Sequence, residues 1–482
     1  MVYSLIWILV VLGFIVGSSI DFIYPKGLPC KVYNSTELDC SNRELTSIPP
    51  LKYSNVKGLD LSHNQLEAVN GKSFVHLTLL QKLDLSYNKI LNISTDTFRG
   101  LNKLETLDLS YQSHLTFHGT PFYSTTSLKK LHIADSGLSS LPPSVFSGLH
   151  ELQELDISEN GIRLFPNSVF QGLTNLTRLD ASSCWIEPLS AALFKDLISL
   201  EYLDISYDHI VRVPETLFVN LTSLKHLDIS FNAIPNLPET LFANLANLTY
   251  LDISHNNLSS APCKALAGLG MVSTLHMTGN HFDYVTCSIE NMTSLEKLNI
   301  SYNYNKHILY YTEYWDIIKW SELITRLPAT LSALNLDVYG NTVFQPVMPG
   351  SLNSTVSLLT ICDSSNYGYL SVEDDAFSMF LYLQHLSIHS CIYLRMKYTD
   401  LYEYSFRGLL QLKSLDLSNA GLRAFPYETL EVLAGSLEYL DLSNNNIQEM
   451  YPFWQNKDLG LNSVDISRNP IYYMDLEILG NK

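Results

Sequence analysis

Carboxylates recur through this sequence, at multiples of 24 residues from Asp60 to Asp252 and again near the end of the chain. Each is the middle residue of a Leu-x-Leu-like motif, and the set is Asp60, Asp84, Asp108, Asp156, Asp180, Asp204, Asp228, Asp252, Asp416, Asp441 and Asp465. Neighbouring unit charges about 5 Å apart repel by about 1 kcal/mol even in water, a cost that a bound ligand would relieve. Such a column could therefore attract cationic or polar ligands. The alternative, which we favour, is that each aspartate hydrogen-bonds its own neighbours.

Mutual repulsion within this column predicts raised folded-state pKa values. The folded chain would then bind extra protons and gain stability as the pH falls toward those values. His132 and His276 replace aspartate at two positions, which we interpret as sequence drift rather than a pH switch. Asn299 replaces it at a third and begins an N-x-[ST] sequon, so a glycan there would cover that part of the sheet.

Aromatic residues concentrate in the stretch "YNYNKHILYYTEYWDIIKW", residues 302–320. Aromatic side chains favour binding pockets because each buries a large area at little cost in rotamer entropy. The candidate ligand-binding residues are Tyr304, Tyr310, Tyr311, Tyr314, Trp315 and Trp320. Near-helical spacing of Trp315, Ile318, Leu323 and Leu327 predicts a short amphipathic helix. The alternative, slightly favoured, is that this insertion packs against its own repeat as core.

No catalytic motif accompanies these residues. The sequence has no G-x-S-x-G, P-loop, H-E-x-x-H or C-x-x-C pattern, and its 14 histidines show no metal-ligand spacing. We therefore expect a protein that is not an enzyme and that uses no cofactor or metal. The net charge of −18 would repel phosphate backbones and argues against nucleic acid as a partner.

The residues above are placed by an internal repeat. "LDLSHNQL" begins at Leu59, and the same phase returns every 24 residues at Leu83, Leu107, Leu131, Leu155, Leu179, Leu203, Leu227, Leu251 and Leu275. The first position then falls at Leu298, Leu334, Leu359, Leu386, Leu415, Leu440 and Val464, with irregular spacing. The motif L-x-L-x-x-N-x-L is that of leucine-rich repeats.

Alternation within Leu-x-Leu points both leucines to one side of a short strand. Amides follow each strand at Asn64, Asn88, Asn160, Asn232, Asn256, Asn280, Asn303, Asn445 and Asn469, where they can satisfy backbone groups. A second internal row is predicted at Phe74, Phe98, Phe122, Phe146, Phe170, Phe194, Phe218 and Phe242. We predict an α/β solenoid, a leucine-rich repeat horseshoe with a concave parallel β-sheet and about 17 repeats.

The predicted segments are a signal peptide (1–19), an N-terminal cap (20–55), regular repeats (56–301), an irregular aromatic-rich insertion (302–333), and irregular then regular repeats (334–482). An apolar core of Leu5 to Val16 followed by small residues favours signal-peptide cleavage after Ser19, and no later run is long enough to span a membrane. The last repeat has no cysteine-rich cap after it, which we interpret as truncation, with an unusually short natural product as the alternative.

Seven cysteines imply disulfide pairs plus one unpaired thiol. Cys30 and Cys40 bracket a loop of the N-terminal cap. Cys263 and Cys287 share one phase in adjacent turns, about 4.8 Å apart, which suits a disulfide. Whether Cys362 pairs with Cys391 stays open, since their phases differ. Cys184 occupies the amide position, where an unpaired structural thiol is expected.

Nine sequons accompany the signal segment and predict glycosylation in the secretory pathway. They begin at Asn34, Asn92, Asn175, Asn220, Asn247, Asn257, Asn291, Asn299 and Asn353.

The quoted repeats, with "LDLSYNKI…TFRGLNKLETLDLS", "FNAIPNLPETLFANLANLTYLDISHNNL" and the two-cysteine cap "C…DCSNRELTSIP", resemble the ectodomain of Toll-like receptors over about residues 28–482. The resemblance implies the ectodomain of an innate immune pattern-recognition receptor, or a soluble or truncated form of it. A microbial or host ligand would bind the concave face or the irregular central repeats, with receptor dimerisation. It implies an extracellular location, or a cell-surface or endosomal membrane if the chain continues. An extracellular-matrix or cell-adhesion repeat protein that binds a host protein is the alternative.

Overall fold

The computed structural model describes residues 30–34, 36–51, 54–282, 289–301, 303, 327–338, 342–344, 355–363, 369–390, 398–426, 428–433, 435–450 and 460–474. The chain forms two compact units. The N-terminal unit comprises Met1–Leu138 and Ser144–Leu152, and the C-terminal unit comprises Ser139–Pro143 and Gln153–Lys482.

The N-terminal unit begins with a hairpin, in which β1 (Lys31–Asn34) pairs antiparallel with β2 (Glu37–Asp39). The disulfide between Cys30 and Cys40 brackets this hairpin. Parallel strands then stack on β2, one per turn: β3 (Gly58–Asp60), β4 (Lys82–Asp84), β6 (Thr106–Asp108) and β8 (Lys130–His132). A separate pair is formed by β5 (Asn92–Ser94) and β7 (Thr116–His118).

The C-terminal unit continues the same pattern with one parallel strand per turn. Its regular strands are β9 (Glu154–Asp156), β10 (Arg178–Asp180), β11 (Tyr202–Asp204), β12 (His226–Asp228), β13 (Tyr250–Asp252), β14 (Thr274–His276) and β15 (Lys297–Asn299). The later strands of this sheet are β16 (Ala333–Val338), β18 (Leu358–Asp363), β20 (His385–Ser390), β22 (Ser414–Asp416), β23 (Tyr439–Asp441) and β25 (Ser463–Asp465).

Smaller sheets lie outside this stack. One contains β17 (Thr342–Phe344), β19 (Tyr369–Val372) and β21 (Tyr398–Leu401), and another contains β24 (Glu449–Met450) and β26 (Tyr473–Met474). A strand lies at every predicted first position of the repeat, so the predicted parallel-strand solenoid is confirmed.

Helix is sparse among the described residues. The α-helices there are α1 (Cys263–Leu266) and α2 (Glu428–Val432), with 3-10 turns at Gly71–Ser73 and Ile289–Asn291. The predicted amphipathic helix falls almost wholly outside the described residues. Within the described ranges, no helix has the length and apolar character needed to cross a membrane.

Where a regular strand ends in aspartate, a clamp forms between that aspartate and the residue two positions later. Asp204 Oδ1 accepts hydrogen bonds from the backbone N–H of Ser206 at 2.9 Å and from its hydroxyl at 2.6 Å. Tyr207 then takes a left-handed conformation with φ 55°, which turns the chain out of the strand. A bulky side chain adopts this conformation at a cost of about 1–2 kcal/mol, so the clamp and the neighbouring hydrogen bonds must hold it.

The residue after this turn forms the amide column. Asn256 shows its geometry: Nδ2 donates to the carbonyls of Ile229, Ile253 and Ser254 at 3.0, 3.3 and 3.1 Å, and Oδ1 accepts from the N–H of Ile234 at 3.1 Å. One side chain thus satisfies backbone groups of two consecutive turns, which explains why the motif requires a residue that both donates and accepts.

Phenylalanines form the second internal row in both units, as predicted. In the N-terminal unit the Phe98 and Phe122 ring centroids are 6.0 Å apart, and in the C-terminal unit the Phe218 and Phe242 centroids are 6.3 Å apart. All eight predicted phenylalanines are almost fully buried. Stacking therefore buries what one turn alone would expose.

Candidate functional site

The aspartate column of the C-terminal unit lies on the solvent side of β10–β13, and we call this surface the sheet face. Its carboxylates are only partly exposed, because every one is engaged by the clamp. Asp228 Oδ1 accepts from the Ser230 N–H at 2.9 Å, and Asp252 Oδ1 accepts from the Ser254 N–H at 2.8 Å. The structure thus agrees with the favoured interpretation that these aspartates bond their neighbours.

Two carboxyl groups on this face, Asp180 and Asp228, have raised pKa values, but repulsion is not the main cause. Burial raises the pKa of Asp228 to about 7, with the charges of Asp252 and Asp204 adding to it against the Ser230 hydrogen bonds. Burial likewise raises the pKa of Asp180, and charge repulsion contributes less. The predicted direction is therefore correct at these positions, and the predicted cause is secondary.

Two aspartates depart from that prediction. At Asp108 burial favours a higher pKa, but hydrogen bonds from His132 and Ser110 outweigh it and lower the pKa. Hydrogen bonds from Ser467 lower the pKa of Asp465, which is fully exposed. Uniform repulsion therefore does not describe the column, because local hydrogen-bond donors decide whether the pKa of an aspartate is raised or lowered.

A stack of rings runs beside the aspartates, and we call it the first aromatic stack. The Arg178 guanidinium lies 3.5 Å from the Tyr202 ring centroid. Tyr202 stacks on His226 at 4.3 Å, and His226 stacks on Tyr250 at 4.1 Å. These residues precede the first leucine of their turns, so the 24-residue period places one ring above the next. Burial lowers the pKa of His226, which keeps its ring neutral at pH 7.

A second aromatic stack lies at the left-handed turn that follows each strand. Tyr207, Phe231 and His255 stack with successive centroid distances of 4.1 Å. Tyr207 is 55% exposed and Phe231 is 38% exposed. In the N-terminal unit, His63, Tyr87 and Tyr111 occupy the same phase with distances of 4.2 and 4.1 Å.

Stacking determines what this surface can bind. Ring faces within each stack contact one another, so a ligand meets ring edges, tyrosine hydroxyls and imidazole nitrogens rather than open aromatic platforms. The Tyr202 hydroxyl donates to Asp204 Oδ2 at 3.3 Å, which leaves a row of acceptors and polar edges facing solvent. Within the described part of the chain, no cluster of His, Cys, Asp and Glu could hold a metal ion. The arrangement suits binding of a polar ligand.

The candidate residues of the insertion lie outside the described residues. They are Tyr304, Tyr310, Tyr311, Tyr314, Trp315 and Trp320. They remain a prediction. The aromatic stacks were not predicted from the sequence. Listing the residue before each first leucine, and the residue four positions after it, would have found both stacks.

Cysteines and sequons can be placed where the structure describes them. Cys184 is buried and unpaired, and its thiol donates to the Ile157 carbonyl at 3.1 Å. Cys263 and Cys362 are disulfide-bonded. Cys287, the predicted partner of Cys263, and Cys391, whose pairing with Cys362 the sequence leaves open, lie outside the described residues.

Six sequon asparagines are exposed: Asn92, Asn175, Asn220, Asn247, Asn257 and Asn291. Asn299 is half-buried on the sheet, and its Oδ1 accepts from the Ser301 hydroxyl at 2.7 Å. The Asn34 side chain and Asn353 are not among the described groups.

Family models agree with the fold. A model described as "Leucine rich repeat" matches residues 40–115, 126–186, 182–234 and 224–282, and a second with the same description matches residues 436–456. The chain is therefore a leucine-rich repeat protein. No curated protein matches the sequence significantly.

Solved structures share this architecture at low identity. A complex of TLR13 with ssRNA13 is 22% identical with a TM-score of 0.62, covering 87% of this chain and 54% of that one. A leucine-rich repeat protein of Leptospira interrogans is 22% identical with a TM-score of 0.57, covering 86% and 85%. The Toll–Spatzle complex of Drosophila is 17% identical with a TM-score of 0.56, covering 90% and 71%. This chain thus spans about half the length of the TLR13 chain, and the likeness shows a common fold.

Proposed function

We propose that this chain is the ligand-binding ectodomain of a Toll-like innate immune pattern-recognition receptor, or a soluble or truncated form of one. It enters the secretory pathway, carries glycans and acts extracellularly, or at a cell-surface or endosomal membrane within a longer chain. The sheet face carries the proposal, because it exposes polar ring edges and carboxylate oxygens in register over several turns.

Three further observations support the proposal. The fold resembles Toll-type ectodomains over 87% and 90% of this chain in two solved structures. The sequence begins with a signal-like segment, and six of its sequons are exposed. The partner would be a microbial or host ligand rather than nucleic acid, because a chain of net charge −18 with this aspartate column repels phosphates.

A cell-surface reporter tests the proposal. The full chain would be joined to a membrane anchor and a signalling module that responds to dimerisation. The probes are a bacterial cell-wall fraction, single-stranded RNA and purified matrix proteins. We expect the cell-wall fraction to activate the reporter. The triple variant Tyr202→Ala, His226→Ala, Tyr250→Ala should abolish activation. Tyr123→Ala, at a 66% exposed tyrosine of the N-terminal unit that is not part of the sheet face, should not.

The alternative is a matrix or adhesion protein that binds a host protein. A reporter that stays silent with the cell-wall fraction while the chain binds a matrix protein would favour this alternative. Activation by RNA would contradict the proposed ligand class.

The aromatic insertion has its own test. We propose Tyr310, Tyr311, Tyr314 and Trp315 as additional ligand contacts. Their joint replacement by alanine should weaken cell-wall binding while secretion is retained. Unchanged binding would exclude the insertion, and loss of secretion would assign these aromatics to the core.

A further inference from the structure

The amide column of the C-terminal unit has one aspartate, Asp208. The other members from Cys184 to Asn280 donate hydrogen bonds to the carbonyl 27 residues earlier. Asn232 donates to Ile205 at 2.9 Å, and Asn256 donates to Ile229 at 3.0 Å. Even the thiol of Cys184 makes this bond, to Ile157. The position therefore calls for a donor, whatever the residue type.

Asp208 fulfils only the accepting half of this role. Its Oδ1 accepts from the N–H groups of Cys184 and Ile186 at 2.8 and 3.0 Å, as asparagine Oδ1 does elsewhere in the column. Oδ2 takes the place of the asparagine nitrogen, and it is buried without a hydrogen-bond partner. The whole residue is 7% exposed.

An ionised carboxylate has no proton to donate, so Oδ2 would face carbonyl oxygens in a dry interior. An unpaired buried charge of this kind is far costlier than a neutral group. By the pattern of the repeat, the group that Asp208 Oδ2 should bond is the carbonyl of Ala181, 27 residues earlier. Among the described residues, no backbone N–H donates to that carbonyl.

The surrounding groups do not neutralise the charge. Asp204 on the same turn repels it, and the thiol of Cys184 faces it from the preceding turn. The following turn presents the neutral amide of Asn232. The ring of His209 packs against Trp185 at 6.1 Å. Burial raises the pKa of Asp208 to about 7, although backbone N–H groups of Ile186, Cys184 and Trp185 lower it.

We propose that Asp208 is a neutral carboxylic acid whose Oδ2–H donates to the Ala181 carbonyl, so that this turn closes by taking up one proton from solvent. The proton links pH to the loop of the preceding turn that Asp208 holds, which carries Trp185, 53% exposed. A raised folded-state pKa means that stability is gained as the pH falls through about 7 and lost as it rises. This inference is independent of the proposed receptor function.

Thermal unfolding of the full secreted chain between pH 8 and pH 6 tests the proposal. All variants carry Asp228→Asn, because Asp228 also has a raised pKa. In this parent, Asp208 should contribute a roughly tenfold rise in the folding equilibrium constant from pH 8 to pH 6, while the lowered pKa values of His226 and His255 act in the opposite direction in parent and variant alike. Asp208→Asn should remove that rise and increase the midpoint at pH 8, since asparagine restores the donor.

Two matched variants complete the design. Asn232→Asp should add a second pH-dependent rise, because it places an acid in the same column. Asp252→Asn, an aspartate of the sheet face two turns from Asp208, should leave the rise in place. An Asp208→Asn protein that keeps the full rise, or that fails to fold, overturns the proposal.

Infrared spectroscopy gives a second readout without relying on variant stability. The difference spectrum between the parent and Asp208→Asn at pH 6 should contain a carboxylic acid band that is lost at pH 8. A carboxylate band at pH 6 would overturn the proposal.

Discussion

The turns that carry β11–β13 and those that carry β16, β18 and β20 share their buried half and differ in how the strand ends. Regular strands stop after three residues, whereas the irregular strands continue for six. Leucines remain buried in both, and the phenylalanine row continues through Phe344, Phe377 and Phe406. The core therefore does not determine the strand length.

Turns that lack either the aspartate clamp or the column amide show what determines the strand length. His276 replaces the clamp aspartate in β14, yet the amide of Asn280 remains and the strand has three residues. Ala420 interrupts the amide column after β22, yet the clamp of Asp416 on Ser418 remains and that strand also has three residues.

The six-residue strands lack both features. Thr360 and Ser387 stand in place of the clamp aspartate, and Ser364 and Cys391 stand at the column positions in the sequence. Either the clamp or a column side chain that bonds the backbone is thus sufficient to end a strand. β8 has His132 in place of the aspartate and stops after three residues, with the Ser136 hydroxyl donating to the Leu109 carbonyl at 2.9 Å in place of an amide. In β18 and β20, which lack both the aspartate and the amide, the backbone pairing continues.

The largest expected effect tests the shared half. Phe218→Ala and Phe377→Ala should each lower the free energy of unfolding by about 3–5 kcal/mol, because each removes a fully buried ring from the row. Denaturant titration measures both. A markedly smaller loss at Phe377 would show that the irregular turns do not share the core of the regular ones.

The next effect separates the two strand-ending features. Asn280→Ala should lower the free energy of unfolding by about 3 kcal/mol, and Asn256→Ala should lower it by about 2 kcal/mol. Buried backbone groups lose their partners in both variants, but only Asn256→Ala retains a clamp. A crystal structure of Asn280→Ala should show β14 extended beyond His276. A three-residue β14 in that variant would contradict the explanation.

The smallest effect concerns pH. The pKa of Asp228 is raised to about 7. The free energy of unfolding of the regular turns should therefore rise by about 1–2 kcal/mol as the pH falls from 8 to 6. Hydrogen exchange should show greater protection at residues 227–230 and no change at residues 358–361, where Thr360 does not titrate. Asp228→Asn should remove the gain, and equal gains in both regions would refute the assignment.

The sequence was sufficient for the stacked strands, because Leu59 and its equivalents carry both the period and the alternation. The long strands were not predicted, since Leu334-Asn335-Leu336 has the same alternation as Leu203-Asp204-Ile205. What differs is a pair of polar positions outside the leucine pattern.

The site was harder to predict than the fold. Tyr202, His226 and Tyr250 become a stack only through the register of neighbouring turns, and each is unremarkable alone. Charge repulsion was foreseen from the aspartates, but burial, which raises the pKa of Asp228 most, depends on packing that composition does not reveal.

Side-chain bonds that always reach an equivalent residue one turn away have a genetic consequence. Removing residues 203–226 would join Tyr202 to Leu227, and Asn232 would then find Ala181 where it now finds Ile205. Unequal recombination by whole repeats can therefore change the number of turns, while each remaining side chain keeps an equivalent hydrogen-bond partner one turn away. The length of the parallel sheet can vary between lineages without the redesign of any single turn.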